Sequence, residues 1–183
     1  MTIKYEDEIK IMPHDEFELY IKKLSSDIRK YCESSDIRID YVVPVLRSGA
    51  VPAVYIANDL NIIKFAPIQV KKIKSKDKYD HLVLLNSLKQ LDKNKQYNLL
   101  VVEGTYSSGD TANMALAEIR ESLPNAKILF ACVCVRGEEN LPKNTDANFY
   151  GFDLPREKLF VYPWESIDQK ENHPDQQIEN IFF

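Results

Sequence analysis

Residues 99–111 read LLVVEGTYSSGDT. An apolar run, Leu99 to Val102, ends in a lone acid, Glu103. It passes into a loop of small and hydroxyl residues, and a helical pattern begins at once at Thr111. This is the build of a site for a phosphate monoester. Backbone N–H groups of the turn Ser107-Ser108-Gly109-Asp110-Thr111 would point at phosphate oxygens, and the helix N-terminus behind them would add partial positive charge. The hydroxyls of Ser107, Ser108 and Thr111 supply further donors. Gly109 can take the positive φ that such a turn needs. A plain surface turn with an ordinary helix cap draws on the same residue types.

The neighbouring segments extend this unit. Tyr97 to Glu103 predicts a central strand and Thr111 to Leu123 its helix, stopped by Pro124 and Asn125. Lys127 to Arg136 predicts another apolar strand. Upstream, IDYVVPVL (residues 39–46) is a short β-branched run, interrupted by Pro44, which donates no ladder hydrogen bond. Arg47-Ser48-Gly49 follows as a tight turn. Gly49 to Leu60 then predicts a helix, with Pro52 tolerable in its first turn. Residues 15–33 predict an amphipathic helix, with Phe17, Tyr20, Ile21, Leu24, Ile28 and Tyr31 on one face and an Asp15–Glu18 capping box. Asn61 to Val70 has strand character. KKIKSKDKYD, Lys71 to Asp80, carries five lysines in ten residues and predicts a mobile electropositive loop. His81 to Asn86 is apolar again.

Near-continuous Val/Ile/Leu strands alternating with helices predict an α/β fold with a mostly parallel central sheet, covered on both faces. Ligands of such sheets bind beyond the carboxyl ends of the strands. Both candidate loops, Arg47-Ser48-Gly49 and Glu103 to Thr111, fall at such ends.

Composition narrows the class. The chain has 183 residues, enough for one well-buried domain and too few for two large ones. Its net charge is -4 with both signs mixed, which argues against a dedicated nucleic-acid binder. No apolar run approaches the ~20 residues of a membrane span. The first residues, MTIKYEDEIKIM, are acidic and lack a signal-peptide core, so the cytoplasm is expected. Cys132 and Cys134 lie two apart in a predicted strand and read as buried free thiols. Cys32 ends a predicted helix without an evident partner. His14, His81 and His173 are scattered. Residues 169–183 read as a polar tail closing on Ile181-Phe182-Phe183.

The motifs also resemble a family. The 99–111 stretch is similar to the phosphoribosyl-diphosphate (PRPP) motif of the type I phosphoribosyltransferases: a hydrophobic strand, two acids, two variable residues, Asp-Thr-Gly-x-Thr, then a helix. Glu103 matches the first acid, Ser108 stands for the threonine, and Gly109 and Thr111 match. Gly104 replaces the second acid and Ser107 the Asp. Leu46-Arg47-Ser48-Gly49 resembles the diphosphate loop of the purine members: aliphatic or Ser, Lys or Arg, Gly, Gly. The bond before its basic residue is often cis, here Leu46–Arg47. LPREKLFVYPWE, Leu154 to Glu165, resembles the end of the small xanthine/guanine enzymes, where an aromatic residue stacks on the purine.

The resemblance implies a type I phosphoribosyltransferase-like fold over residues 1–168, with a small hood built from the N-terminal residues and about 137–168. It implies transfer of a phosphoribosyl group from PRPP, the co-substrate, to a nucleobase, most closely a purine. Mg²⁺ would assist, and the assembly would be a homodimer or homotetramer. The implied site places the 5'-phosphate on Ser107, Ser108, Gly109, Asp110 and Thr111. The diphosphate falls to Leu46, Arg47, Ser48 and Gly49, with Lys72 and Lys74. Arg136, Phe160 and Val161 would meet the base. Glu103 would hold ribose hydroxyls or a magnesium-bound water, and with Arg47 would form the catalytic pair. Phe160, Tyr162 and Trp164 also suit a core or subunit interface. The alternative is a non-catalytic protein of the same fold that binds a nucleotide or PRPP, because Gly104 and Ser107 remove two acids.

Overall fold

The central strand expected at 97–103 runs three residues further, and everything else is arranged around it. The computed structural model describes residues 9–75, 78–137, 141–155 and 158–165. In chain order these give β1 (Ile9–Ile11), α1 (His14–Ser34), β2 (Tyr41–Leu46), α2 (Ala50–Leu60), β3 (Ile68–Ser75), β4 (Lys78–Asn86), a 3-10 turn at Ser87–Gln90, β5 (Asn98–Tyr106), α3 (Asp110–Ser122), β6 (Lys127–Val135), β7 (Ala147–Asp153) and β8 (Leu159–Val161).

Six strands form the main sheet in the order β4-β3-β2-β5-β6-β7, and β1 pairs with β8 in a small second sheet. Every neighbour pair of the main sheet is parallel except β3–β4. β2 and β5 align Val43 with Val101 and Pro44 with Val102. Both are buried on both sides, which is why they read as unbroken apolar runs. Helices α1 and α2 cover one face, where Phe17, Ile21, Leu24, Ile28 and Ile56 pack on Val42, Leu100 and Leu129. α3 covers the other, where Leu116 and Ile119 pack with Val101, Phe130 and Ile128. The type I phosphoribosyltransferase-like architecture expected from the sequence is the one observed: a mixed, mostly parallel sheet flanked by helices.

Pro44 is accommodated by a gap in one ladder. Val42 faces β3's side, donating to Lys64 O and accepting from Ala66 N. Two residues on, Pro44 faces the same way. There the pairing is interrupted between the isolated Val42–Phe65 bridge and the start of β3.

Several local expectations are corrected. Helix α1 begins at His14 with Pro13 as N-cap and no side-chain cap bond, so the Asp15–Glu18 box does not form. Strand character begins at Ile68, not Asn61. The lysine-rich segment is not a loop. Apart from residues 76–77, which lie outside the described ones, it forms an antiparallel hairpin, with Lys72 opposite His81 and Lys74 opposite Tyr79. Backbone pairing needs no apolar side chains, and lysines suit an edge because they oppose further pairing. β7 and the small β1–β8 sheet were not foreseen. Residues 147–153, given to the hood in the sequence reading, are instead the edge strand of the main sheet. The expectations for residues 1–8 and for the 169–183 tail lie outside the described residues.

Candidate active site

The loops after β2 and β5 meet at the carboxyl end of the sheet because their strands are hydrogen-bonded neighbours. Gly49 sits directly on β5: a Cβ there would run into Val102 O and come within 2.8 Å of Val45 O. Only glycine lets the two backbones approach this closely. The Leu46–Arg47 peptide is cis, as the resemblance implies. Arg47 is exposed beside this turn.

Glu103 lies where the two loops touch. It is 4% exposed. Its Oε1 accepts from the Ser48 hydroxyl and, at 3.2 Å, from Gly104 N. Its Oε2 is buried with no partner among the described residues. Burial pushes the carboxyl up from 4.5 to about 7, with the two hydrogen bonds acting against that shift. A buried acceptor without a partner is costly, which makes this oxygen a natural seat for a substrate hydroxyl or a metal-bound water.

Beyond Glu103, Tyr106 and the turn at 107–109 lead into α3. Ser107 and Ser108 are exposed. Gly109 is the N-cap with φ 79, and a side chain there would collide with the Tyr106 hydroxyl. The first N–H groups of α3 have no acceptor within the helix. An exposed hydroxyl turn and helix N-terminus at a strand's carboxyl end have the geometry of an anion cradle. Asp110 is exposed at the first helical position, where its charge favours the helix dipole.

Arg136 follows β6 next to this loop, its N donating to Tyr106 O at 2.8 Å. It is half-buried, and its Nε has no partner among the described residues. The remaining expected residues are placed less simply. Lys72 and Lys74 stand on β3 of the hairpin, and their side chains lie outside the described part of the structure, as does that of Phe160. Val161, expected to meet the base, is buried, and its carbonyl accepts from Met12 N at 3.0 Å where β8 pairs with the N-terminal strand.

Tyr162, which suits a core or a subunit interface by sequence, is buried here and also makes a polar junction that its sequence context did not specify. Its ring is 3% exposed and stacks on Trp164 at 4.7 Å. Its hydroxyl donates to Gly104 O at 2.6 Å and lies 2.9 Å from Thr105 Oγ1. Trp164, partly buried, packs edge-on against Phe17 of α1 at 4.8 Å and so lies against the core. The available signal was a tyrosine inside an apolar segment, since a buried phenol needs a hydrogen-bond partner. A cavity of about 720 Å³ lies at the other end of the molecule, between the ends of α1 and α2, lined by Ile28, Cys32, Ile37, Leu60 and Lys64. It is remote from both loops. No described helix is long and apolar enough to cross a membrane.

Fold and site together define a class: the chain has the type I phosphoribosyltransferase fold. Solved structures similar to it include a purine phosphoribosyltransferase from Pyrococcus horikoshii Ot3, 24% identical with a TM-score of 0.71 over 87% of this chain and 96% of that one. A xanthine-guanine-hypoxanthine phosphoribosyltransferase from Helicobacter pylori is 15% identical, with a TM-score of 0.70 over 89% of this chain and 97% of that one. A hypothetical protein from Neisseria gonorrhoeae with bound ppGpp is 17% identical, with a TM-score of 0.74 over 90% of this chain and 93% of that one. No protein-family model and no curated protein matches the chain.

Proposed function

We propose that the protein transfers a phosphoribosyl group from PRPP to a nucleobase, most closely a purine, releasing diphosphate. The observation that carries this reading is the contact between the two loops. The turns after β2 and β5 lie side by side, and between them sits a carboxylate with one oxygen unpartnered among the described residues. A ribose bearing a 5'-phosphate and a 1-diphosphate presents complementary groups in that order.

In this reading Ser107, Ser108, Gly109, Asp110 and Thr111 hold the 5'-phosphate through backbone N–H groups and hydroxyls. Leu46, Arg47, Ser48 and Gly49 receive the diphosphate, and the exposed guanidinium of Arg47 offsets the charge that grows on the leaving group. Lys72 and Lys74 of the hairpin add to that positive field. Glu103 Oε2 accepts from a ribose hydroxyl and fixes the sugar for attack on its C1. Arg136 donates to an exocyclic oxygen of the base, and Phe160 and Val161 border it. Mg²⁺ bound to the diphosphate would supply further charge neutralisation; Glu103 suits one of its waters, since this ion is commonly held by one or two carboxylates plus substrate phosphates.

A second reading, a nucleotide-binding protein without turnover, is favoured by a specific feature. Ser107 stands where the resemblance places an acid near the base, Gly104 where it places a second acid on the ribose side, and the Neisseria protein of this fold is one with bound ppGpp. Titration calorimetry with PRPP·Mg²⁺, GMP and ppGpp, followed by a diphosphate-release screen over hypoxanthine, guanine, xanthine, adenine and uracil, separates the two. Release with any base supports the transferase. Tight nucleotide binding without release supports the second reading.

A further inference from the structure

The run Pro163-Trp164-Glu165 after β8 has no part in the reading above. In the fold it closes a turn on Tyr162. Glu165 N donates to Tyr162 O at 3.0 Å, and Tyr162 N donates back to Glu165 Oε2 at 3.0 Å. The Trp164 ring lies flat on the Tyr162 ring, 8° from parallel, and Phe17 of α1 meets the tryptophan edge-on. The turn and the stack fix the phenol where it reaches the chain just after Glu103. Its one proton goes to Gly104 O at 2.6 Å, so at the 2.9 Å contact with Thr105 Oγ1 the threonine donates. Burial pushes the phenol well above its usual range, so it stays neutral and a donor near neutral pH.

Gly104 is crowded: a Cβ there would lie 2.9 Å from both Ser48 Cβ and Ser48 O. It is held instead through its two peptide groups. Its N donates to Glu103 Oε1 at 3.2 Å, and its carbonyl accepts from Tyr162. We infer that Tyr162 is a positioning residue, which through Gly104 sets the spacing between β8 and Glu103. The phosphoribosyl reading puts β8 beside the base and Glu103 on the ribose. The two belong to different sheets, and no ladder joins those sheets among the described residues. A ligand that spans both, such as a nucleoside monophosphate, therefore gains from a tie that holds them in register beforehand. A ligand that uses only the loop after β5 does not. The ligand arm of this inference rests on the phosphoribosyl reading; the tie itself does not.

Hydrogen exchange of the wild type and Tyr162→Phe, without ligand, tests the tie. Loss of the hydroxyl should speed exchange over residues 103–109 about fivefold. Residues 128–134 of β6, which report general loosening, should be unchanged. An equal rise in both segments, or none in either, makes Tyr162 an ordinary packing residue and overturns the inference. Calorimetry with ribose 5-phosphate and with GMP tests the ligand arm. Tyr162→Phe should weaken GMP about tenfold and ribose 5-phosphate by less than about twofold. A merely structural tyrosine would not distinguish the two ligands, so equal weakening of both, or of neither, overturns the positioning role. A wild type that binds neither ligand overturns the phosphoribosyl reading and the ligand arm with it, while the exchange measurement still decides the tie.

Discussion

The turns after β2 and β5 lie side by side at the same end of the sheet and are built in opposite ways. The first, Leu46 to Gly49, is held at two residues: Gly49 is pressed against β5, and the Ser48 hydroxyl is tied to Glu103, while Arg47 is exposed. The second, Ser107 to Gly109, leaves Ser107 and Ser108 exposed and opens directly onto a helix N-terminus. One loop is placed by packing and the other is left for a ligand to complete. The difference teaches where substitutions should hurt: stability should depend on the first loop and its buried acid, and anion affinity on the second.

The largest effect expected is on pH dependence. Glu103 is raised from 4.5 to about 7, so the folded state holds this proton more tightly than the unfolded chain. The stability it contributes is full below the unfolded value and is lost as pH rises through the folded one, by about 3 kcal/mol. Glu103→Gln should flatten that segment of the stability–pH curve in urea titrations; an unchanged slope would break the picture of a packed, desolvated junction. In a diphosphate-release assay the same variant should be slower by about 10²-fold, as for loss of a well-placed electrostatic group, with nucleotide binding changed far less.

Next comes Gly49→Ala, which forces a methyl against two backbone carbonyls and should cost about 2 kcal/mol of unfolding free energy. Tyr162→Phe removes the hydroxyl that ties the terminal sheet to Gly104 and should cost about 1 kcal/mol. At the open loop the balance reverses. Ser108→Ala should change stability by no more than about 0.5 kcal/mol and weaken GMP binding roughly fivefold, equivalent to about 1 kcal/mol. If Ser108→Ala destabilised the chain as much as Gly49→Ala, the contrast between the loops would be gone.

The elements that could be read in the chain are those with strong local patterns. The β2 and β5 runs, the face of α1 and the hydroxyl turn before α3 each carry a periodicity or a turn chemistry within a dozen residues. The strands that escaped notice are three residues long, as β1 and β8, or half-buried at an edge, as β7. Their residues are set by a distant partner and not by their own pattern. The lysine hairpin misled for a related reason: composition reports what side chains prefer, whereas a ladder is made by the backbone.

The amino-acid sequence alone determined the α/β class, the placing of both loops at strand ends and the identity of Glu103 as the motif's remaining acid. Only the tertiary structure decided what that acid does with its two oxygens. It also showed that Gly104 has no room for a side chain and that Tyr162 closes the junction from 58 residues away. Those facts depend on which strands become neighbours and how closely their ends approach. Sequence periodicity records the face a residue presents, but not the atom that meets it there.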